Sequence, residues 1–186
     1  GVSHLAKLSM KCHPDTPAGA VRDFTVEVER RRDDQVWIRY TVEVPLGELK
    51  LDETLKPERM DCLWKTICFE AFIKPEGSAG YCEFNFAPSG AWAAYRFTGY
   101  RKGMDDLPMA SIPAIKTTAN ESHFVLVALF ELAPEHSSTE VRLAVTAVIE
   151  EANGTKSYWS LAHPLGSPDF HHPDCFTLTL PARAGS

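Results

Sequence analysis

Alternation of apolar and polar residues with a period of two runs through most of this chain and limits what it can fold into. Such alternation is typical of β-strands, because successive side chains of a strand point to opposite faces of its sheet. Turn-forming residues separate the alternating segments, among them Asp33-Asp34, the run at 75–80 (PEGSAG) and Asn153-Gly154. The pattern predicts eight strands, at residues 24–31, 36–44, 67–74, 81–87, 92–100, 123–132, 140–151 and 175–180.

No long segment has the spacing of apolar residues that an amphipathic helix needs. Residues 51–65 could form a turn or two of helix, but Pro57 interrupts them. Many short strands joined by hairpins predict two antiparallel sheets packed face to face. We therefore expect an all-β fold, a two-sheet sandwich of the jelly-roll or immunoglobulin-like kind, with residues 1–186 in one domain. Asn153-Gly154 predicts a tight hairpin, because this pair accepts the positive φ angles of a type I′ turn.

Charge and hydropathy exclude two classes of partner. The formal net charge is -6 at pH 7, and the one basic run, at 30–32, is followed at once by Asp33-Asp34. Nucleic-acid surfaces need clustered Lys and Arg, so we expect no nucleic-acid partner. No apolar stretch approaches the roughly 20 residues of a spanning helix, so we expect no membrane partner either.

The five cysteines bear on the compartment. They are odd in number and show no CxxC spacing. Cys68 and Cys82 lie inside apolar strand patterns, where a free cysteine usually acts as a small buried hydrophobe. This usage favours a reducing, cytoplasmic location, with a Cys68–Cys82 disulfide as the alternative.

Polar residues interrupt two adjacent predicted strands. In the segment 67–74, both faces are apolar except for Glu70. A buried carboxylate without a partner is very costly, so Glu70 needs one. In the segment 81–87, Glu83 and Asn85 share a face with Tyr81. Glu70 and Glu83 could form a glycosidase-like carboxylate pair if the strand register brings them together; a solvent-facing polar edge is the alternative.

Aromatic rings and arginines alternate in the segment 88–104. Aromatic rings beside Arg, Glu and Asn suit a sugar, because a ring covers its C–H face while planar polar groups bind adjacent hydroxyls. Trp92 and Arg96 share one face of the predicted strand, and Phe97 lies on the other. We expect the Phe97 face to pack on the opposing sheet and the Trp92 face to form a ligand platform. The alternative is that these aromatic residues belong to the core, as aromatic residues in strands usually do.

The late segment 158–176 (YWSLAHPLGSPDFHHPDCF) concentrates histidines, aspartates and prolines. His163, Asp169 and His171 could supply three zinc ligands from one loop. Prolines also stiffen such a loop without any metal, since Pro restricts the residue before it to extended backbone. We expect a stiff rim loop whose histidines and aspartate hydrogen-bond to the backbone. His163 and Asp169 are the members most expected to face a ligand.

Residues 63–104 and 158–176 together resemble the bacterial DOMON-like proteins. This set is related to family-9 carbohydrate-binding modules and to the cytochrome domains of cellobiose dehydrogenase. The segments that carry the resemblance are LWKTICFEAFI, EFNFAPSGAW and HPLGSPDFHHPD. The resemblance implies a jelly-roll-like sandwich whose concave sheet or loop mouth binds a sugar or a haem.

The resemblance also implies roles for individual residues. The matching positions are Trp64, Glu70, Glu83, Asn85 and Arg101. Sugar-binding relatives hold the ligand between two Trp rings, and here the second ring is either Trp92 or Trp159. Haem-binding relatives use Met and His as axial ligands, which Met60, Met104 or Met109 with His163 or His171 could supply. Relatives can carry calcium, but this chain has no Asp/Asn-rich calcium loop.

Together these patterns predict a non-catalytic carbohydrate-binding domain for a small sugar or glycan, without a cofactor. The alternatives are a haem-binding cytochrome-type domain and, third, a metal-dependent enzyme. Catalytic signatures such as GxSxG and HExxH do not occur in the sequence. The predicted ligand-binding residues are Trp64, Glu70, Glu83, Asn85, Trp92, Arg101, Trp159, His163, Asp169 and His171.

Overall fold

The computed structural model describes residues 6–52 and 55–182. Thirteen strands occur in these ranges, and no α-helix does. The strands are β1 (Ala6–Ser9), β2 (Lys11–Cys12), β3 (Asp23–Arg30), β4 (Gln35–Glu43), β5 (Cys68–Pro75), β6 (Tyr81–Phe86), β7 (Trp92–Phe97), β8 (Asp105–Asp106), β9 (Ala114–Ala119), β10 (His123–Glu131), β11 (Val141–Glu150), β12 (Lys156–Ser160) and β13 (Leu178–Leu180).

The strands form two antiparallel sheets. The five-stranded sheet has the order β1-β3-β4-β10-β9, and the eight-stranded sheet has the order β2-β12-β11-β5-β6-β7-β8, with β13 also paired to β11. Apolar side chains from one face of each sheet pack together into a core that contains Phe24, Ile38, Phe69 and Phe130. The Tyr40 hydroxyl crosses this core and donates to the Glu70 carbonyl at 2.8 Å. The all-β sandwich predicted from the alternation is therefore confirmed.

All eight predicted strands are present, with small shifts at their ends. The largest differences are the segment 92–100, of which only Trp92–Phe97 is strand, and the segment 175–180, of which only Leu178–Leu180 is strand. A 3₁₀ turn, Pro173–Cys175, occupies the start of the latter segment. Five strands were missed, namely β1, β2, β8, β9 and β12, because they are short or carry few apolar residues.

The Asn153-Gly154 hairpin is confirmed, since it joins β11 to β12. Its turn type is not the predicted one. Gly154 has a φ of 92°, whereas Asn153 is not among the residues with positive φ. The Gly154 N–H donates to the Glu151 carbonyl at 2.8 Å. A type I′ turn needs positive φ at both central residues, so only the glycine here uses its conformational freedom.

Two further expectations are corrected. The helical turn considered for 51–65 is reduced to one 3₁₀ turn, Leu63–Lys65, preceded by Cys62 in the left-handed conformation with a φ of 63°; residues 53–54 lie outside the described residues. Cys68 and Cys82 do not form a disulfide. Cys82 belongs to the core between the sheets, whereas Cys68 packs on the opposite face of the eight-stranded sheet.

Candidate functional site

The eight-stranded sheet is buried on both faces. Its inner face packs on the five-stranded sheet, and its outer face carries a second apolar cluster that includes Phe72, Tyr81, Tyr95 and Phe97. Two loops cover this outer face: the first rim loop, residues 98–104, and the second rim loop, residues 161–177. Every residue of β6 is buried for this reason. Loops that cover one face of a sheet in this way can leave space for a ligand between the loops and the sheet.

A cleft of about 410 Å³ opens on this outer face. Its volume falls in the range of roughly 300–1,000 Å³ that is typical of small-molecule sites. The floor comes from the sheet, and the walls come from the Leu63–Lys65 turn and the two rim loops. The lining residues, which define the cleft, are Trp64, Glu70, Glu83, Phe97, Arg101, Met104, Val148, Tyr158, Pro168, Phe170 and His171.

Two carboxyl groups lie on the floor of the cleft. Glu70 of β5 and Glu83 of β6 are only 3% and 6% exposed. Glu70 pairs in register with Asn85, which lies two residues from Glu83 on the same strand and face. The two acids are therefore diagonal neighbours across one strand pair, and the side chains of such neighbours can reach each other. The strand register therefore brings Glu70 and Glu83 close together, as the predicted carboxylate pair required.

A buried polar row crosses the sheet beneath the cleft. The register places Ser160, Thr146, Glu70 and Asn85 side by side on four neighbouring strands. The Thr146 hydroxyl donates to Oε1 of Glu70 at 3.2 Å. The Asn85 amide is fully buried, and neither of its polar atoms makes a well-aligned hydrogen bond. A buried amide in this state leaves hydrogen-bonding capacity unused next to the two acids.

Burial makes both acids harder to ionise. It raises the pKa of Glu70 well above its ordinary value, and the charge of Glu83 adds to this effect. Burial also raises the pKa of Glu83, to about 7, against the opposing influence of the nearby Asn85 amide and the Arg101 charge. Glu70 is therefore held towards its protonated form, which can donate a hydrogen bond. Glu83 lies close to its titration midpoint.

His171 stands above Glu83, with Nε2 3.4 Å from Oε1 of that residue. The Tyr81 hydroxyl contacts Nδ1 of His171 at 2.7 Å and accepts the Arg101 backbone N–H at 3.1 Å. Because its oxygen accepts from Arg101, Tyr81 can donate its own proton to Nδ1, which leaves the proton of His171 on Nε2. Burial, followed by repulsion from Arg101, lowers the pKa of His171 to about 4. The contact with Glu83 is therefore not an ion pair at neutral pH.

The two rim loops are joined by a charged clamp. Arg101 donates through Nη2 and Nε to Oδ1 of Asp169, at 2.7 and 3.2 Å. The Tyr100 hydroxyl donates to the other carboxylate oxygen of Asp169. Arg101 has a φ of 53°, a left-handed conformation that is uncommon for residues with a side chain. The clamp fixes the Arg101 guanidinium at the mouth of the cleft, with Asp169 behind it.

Apolar side chains are exposed around this mouth. Trp64 is 41% exposed and Met104 is 52% exposed, although both are large hydrophobic residues. Tyr158 and Phe170 pack on each other at the opposite wall, with ring centroids 5.7 Å apart. An exposed apolar group beside a cleft with polar atoms on its floor is typical of a ligand site. Trp64 is the ring best placed to stack on a flat ligand.

Seven of the ten predicted residues surround or underlie the cleft. Trp64, Glu70, Glu83, Arg101 and His171 line it, and Asp169 holds Arg101 in place. A seventh, Asn85, lies beneath the floor between the two acids. These residues come from β5, β6, the Leu63–Lys65 turn and both rim loops, so the sequence segments that carry the resemblance do converge.

The structure corrects the placement of the other three. Trp92 and Trp159 lie in the core between the sheets, each 6% exposed, so neither ring is available to a ligand in the cleft. The face prediction for β7 is therefore inverted, because Phe97 lines the cleft and Trp92 does not. His163 lies elsewhere, where its Nε2 contacts the Lys11 carbonyl at 2.7 Å and its ring packs on His13. It fixes the second rim loop to the N-terminal part of the chain.

Sequence reasoning missed several lining residues. Val148 of β11 and Phe97 of β7 were assigned to strands without a role in a site, and Tyr158, Pro168 and Phe170 were treated as loop structure. Met104 was considered only as a haem ligand. A signal was present for Tyr158, because it alternates with the apolar Trp159 and so points to the opposite face. No comparable signal identifies Phe170.

Comparisons with known proteins bear on the fold. No family model matches this chain, and no curated protein matches it. A crystal structure described as that of a "putative carbohydrate-binding protein" from Bacteroides uniformis matches with a TM-score of 0.66. The match covers 94% of this chain and 84% of that chain at 14% sequence identity. At this identity the likeness establishes a shared fold.

Two observations concern metals and membranes. Within residues 6–52 and 55–182, no group of three or more His, Cys, Asp or Glu side chains is arranged to hold a metal ion. In the same part of the chain, no helix has the length and apolar character needed to cross a membrane. The zinc set considered for the late loop is not assembled, because His163 lies against Lys11 while His171 lies over Glu83.

Proposed function

We propose that this protein is a non-catalytic carbohydrate-binding domain that binds a small sugar or the end of a glycan in the cleft. The observation that carries the proposal is the position of Trp64, an exposed ring at the mouth of a cleft with polar groups on its floor. A sugar presents both a C–H face for such a ring and hydroxyls for Glu70, Glu83 and Arg101.

The protonation states on the floor support a polyhydroxylated ligand. Glu70 in its protonated form can donate a hydrogen bond, Glu83 in its ionised form can accept one, and the Arg101 guanidinium can donate. Sugar hydroxyls both donate and accept, so they can satisfy all three groups. Binding would also cover the unused hydrogen-bonding capacity of the floor. The fold match to a protein described as carbohydrate-binding is consistent with this function.

We further propose that the chain is a distant relative of the DOMON-like proteins and family-9 carbohydrate-binding modules. The resemblance implied a ligand on the concave sheet or at the loop mouth, and the cleft is lined by residues of the eight-stranded sheet and of both rim loops. Of the residues matched through the resemblance, Trp64, Glu70, Glu83 and Arg101 line the cleft. Of the two candidates for a second Trp ring, both are core residues, so the opposite wall would be Tyr158 or Phe170.

Haem binding is the less favoured alternative. Met104 and His171 both line the cleft, as an axial pair would require. However, Nδ1 of His171 is bonded to Tyr81, and Nε2 faces Glu83 on the floor. Its ring is also enclosed by Phe72, Tyr81 and Phe97, at centroid distances of 5.0, 5.7 and 5.1 Å. An imidazole engaged in this way does not fit the role of a haem ligand.

Titration calorimetry against neutral mono- and disaccharides tests the proposal. We expect dissociation constants of about micromolar to millimolar, since one stacked ring and a few polar contacts form the site. Trp64→Ala should weaken binding by about tenfold or more. Trp37→Ala is the matched control: Trp37 lies on β4 of the other sheet, with the Arg31 and Arg39 guanidinium groups 5.1 and 5.0 Å from its ring. Equal loss in both variants, or no binding of any sugar, would refute the proposal.

A glycoside hydrolase is the second candidate, because Glu70 and Glu83 lie on one face with raised pKa values. Glycosidases use such a pair, one protonated as the general acid and one ionised. Incubation with oligosaccharides that bind, followed by measurement of new reducing ends, separates the two functions. Turnover that is lost in both Glu70→Gln and Glu83→Gln would establish hydrolysis in place of binding alone.

A further inference from the structure

The two floor acids of the cleft are both buried, and their surroundings bear on the class of sugar. Thr146 gives Glu70 one neutral hydroxyl donor, at 3.2 Å. No Lys or Arg within the described residues makes an ion pair with Glu70 or Glu83. Buried carboxyls are usually paired with a cation or bound to a metal.

The charged groups nearest to these acids are already engaged. Arg101 directs Nη2 and Nε to Asp169, so its fork is not turned to the floor. His171 contacts Glu83 at 3.4 Å, but its imidazole is neutral at pH 7 because burial lowers its pKa to about 4. The floor therefore holds two buried acids that form no ion pair with a Lys or Arg of the described residues.

A second observation points to a ligand group at this place. The Asn85 side chain is fully buried opposite Glu70; its amide acts on Glu83, but neither its Oδ1 nor its Nδ2 makes a well-aligned hydrogen bond. Its oxygen is a further acceptor on a floor already rich in acceptors. The cleft also has aromatic walls, formed by Trp64, Phe97, Tyr158 and Phe170. Aromatic faces attract ammonium groups, most strongly where water is excluded.

We propose that the cleft prefers an amino sugar, a hexose in which a protonated primary amine replaces one hydroxyl, and that this amine binds at Glu70 and Glu83. This inference rests on the proposed carbohydrate-binding function and specifies its ligand. An ammonium has three donors, which match the carboxylate oxygens of Glu70 and Glu83. Its charge would stabilise the ionised forms of Glu70 and Glu83, which burial disfavours. An acidic sugar is disfavoured, because its carboxylate would meet two acids there.

The matched ligands for a test are glucosamine, glucose and N-acetylglucosamine, titrated calorimetrically at about pH 6.5, where a sugar amine is protonated. They differ in one substituent, which is a charged amine, a hydroxyl or a neutral amide. We expect glucosamine to bind at least about tenfold more tightly than the other two, a difference of about 1.4 kcal/mol. The ratio of the glucosamine and glucose dissociation constants is the quantity to compare between variants.

Glu70→Gln and Glu83→Gln should each reduce that ratio to about threefold or less, because an amide keeps the shape of the side chain but not its charge. Glu131→Gln, at the end of β10 in the other sheet, is the control and should leave the ratio unchanged. The inference is overturned if glucose or N-acetylglucosamine binds as tightly as glucosamine. It is also overturned if the preference persists in both cleft variants.

Proton release provides a second readout that needs only the wild-type protein. An ammonium bound at the floor favours the ionised acids, so glucosamine binding should release up to about one proton per site near pH 6.5. Calorimetry in two buffers of different ionisation enthalpy measures this number, and glucose should release close to none. Glucosamine binding without proton release would contradict the inference. Sugar binding without an amine preference would leave the proposed carbohydrate-binding function intact. The absence of binding to any sugar would refute both that function and the amine preference.

Discussion

His171 lies directly over Glu83, with Nε2 of the imidazole 3.4 Å from Oε1 of the carboxyl group. Burial affects the two groups in opposite directions. It raises the pKa of Glu83 to about 7 and lowers that of His171 to about 4, so that each is held towards its uncharged form. Two titrating groups that look like an ion pair by distance are therefore largely neutral between pH 4 and 7.

This arrangement predicts how stability depends on pH. A raised pKa in an acid means that the folded state binds more protons between about pH 4.5 and 7, so the Glu83 contribution to stability falls as pH rises through this window. His171 has the opposite sign, since its lowered pKa makes stability fall as pH drops from about 6.5 to 4. The two contributions offset each other over most of this range. The raised pKa of Glu70 adds a further fall in stability as pH rises above about 4.5, so the wild-type protein should become less stable towards neutral pH.

Glu83→Gln removes the pH-dependent contribution of Glu83 to stability and leaves that of His171. Relative to the wild type, its free energy of unfolding should rise as pH increases from about 4.5 to 8, by on the order of 3 kcal/mol, because the amide never has to be buried as a charge. Asn85 and Arg101 lower the pKa of Glu83 against its burial, the charges of Glu70 and Glu83 act on each other, and the His171 imidazole lies 3.4 Å from Glu83. Urea unfolding of both proteins across this range measures the difference, and a constant difference would contradict the assignment.

Metal removal should leave the fold unchanged. Structural metal sites contribute their binding free energy to folding, so stripping such a metal lowers the melting temperature sharply. The described residues hold no cluster of three potential ligands, and the histidines of the second rim loop already have protein partners. We expect a chelator to change the melting temperature by no more than about 1 °C. A large fall on chelation, restored by zinc or calcium, would show that a metal holds the loop.

Much of the fold was predictable because the five-stranded sheet alternates cleanly. Along β4 and β10, every second residue is buried against the other sheet and the remainder are partly exposed. Such a pattern fixes both the strand and its inward face. Along β6 all six residues are buried, because the rim loops cover the outer face. Alternation then no longer distinguishes the two faces, which is why the side chains of β7 were assigned to the wrong sides.

The site was predictable where a residue type was out of place. Glu70 is an acid in a strand with two apolar faces, and this mismatch correctly indicated a special position. The late loop gave no equivalent signal. His163 and His171 look alike in sequence, but their partners, Lys11 and Tyr81, lie 152 and 90 residues away. Only the folded chain determines which histidine faces the cleft.

The clamp between the rim loops predicts a variant that weakens binding without unfolding the protein. Asp169→Asn removes the charge that orients Arg101. Because this ion pair is partly exposed, the free energy of unfolding should change by no more than about 1 kcal/mol. Sugar affinity should nevertheless fall by about three- to tenfold, since the guanidinium loses its fixed orientation.

Asp174→Asn is the matched control for the clamp. Asp174 lies in the same loop, and its side chain is 70% exposed. Calorimetry should show unchanged sugar affinity for this variant, and thermal melts should show both variants folded. If Asp169→Asn binds as tightly as the wild type, the orientation of Arg101 does not contribute to the site.

The last prediction concerns the inverted faces of β7. Trp92 packs between the sheets, and the Arg59 guanidinium lies 5.0 Å from its ring centroid. Phe97 lines the cleft and stacks on Tyr81, with ring centroids 4.8 Å apart. Trp92→Leu should lower the free energy of unfolding by about 2–3 kcal/mol through the space it leaves in the core. The loss is moderated because Nε1 of Trp92 is buried without an acceptor. Sugar affinity of the folded protein should stay unchanged.

Phe97→Leu should have the opposite effect, with a small loss of stability and a clear loss of sugar affinity. A leucine keeps most of the apolar volume, so the free energy of unfolding should fall by only about 1 kcal/mol. Sugar binding should weaken severalfold, because the wall of the cleft recedes and the packing that holds His171 over Glu83 is lost. Urea unfolding and calorimetry on the same two variants provide both readouts. If Trp92→Leu weakens binding while Phe97→Leu leaves it intact, the ligand does not occupy this cleft, and the inner face of β7 would have to carry the site.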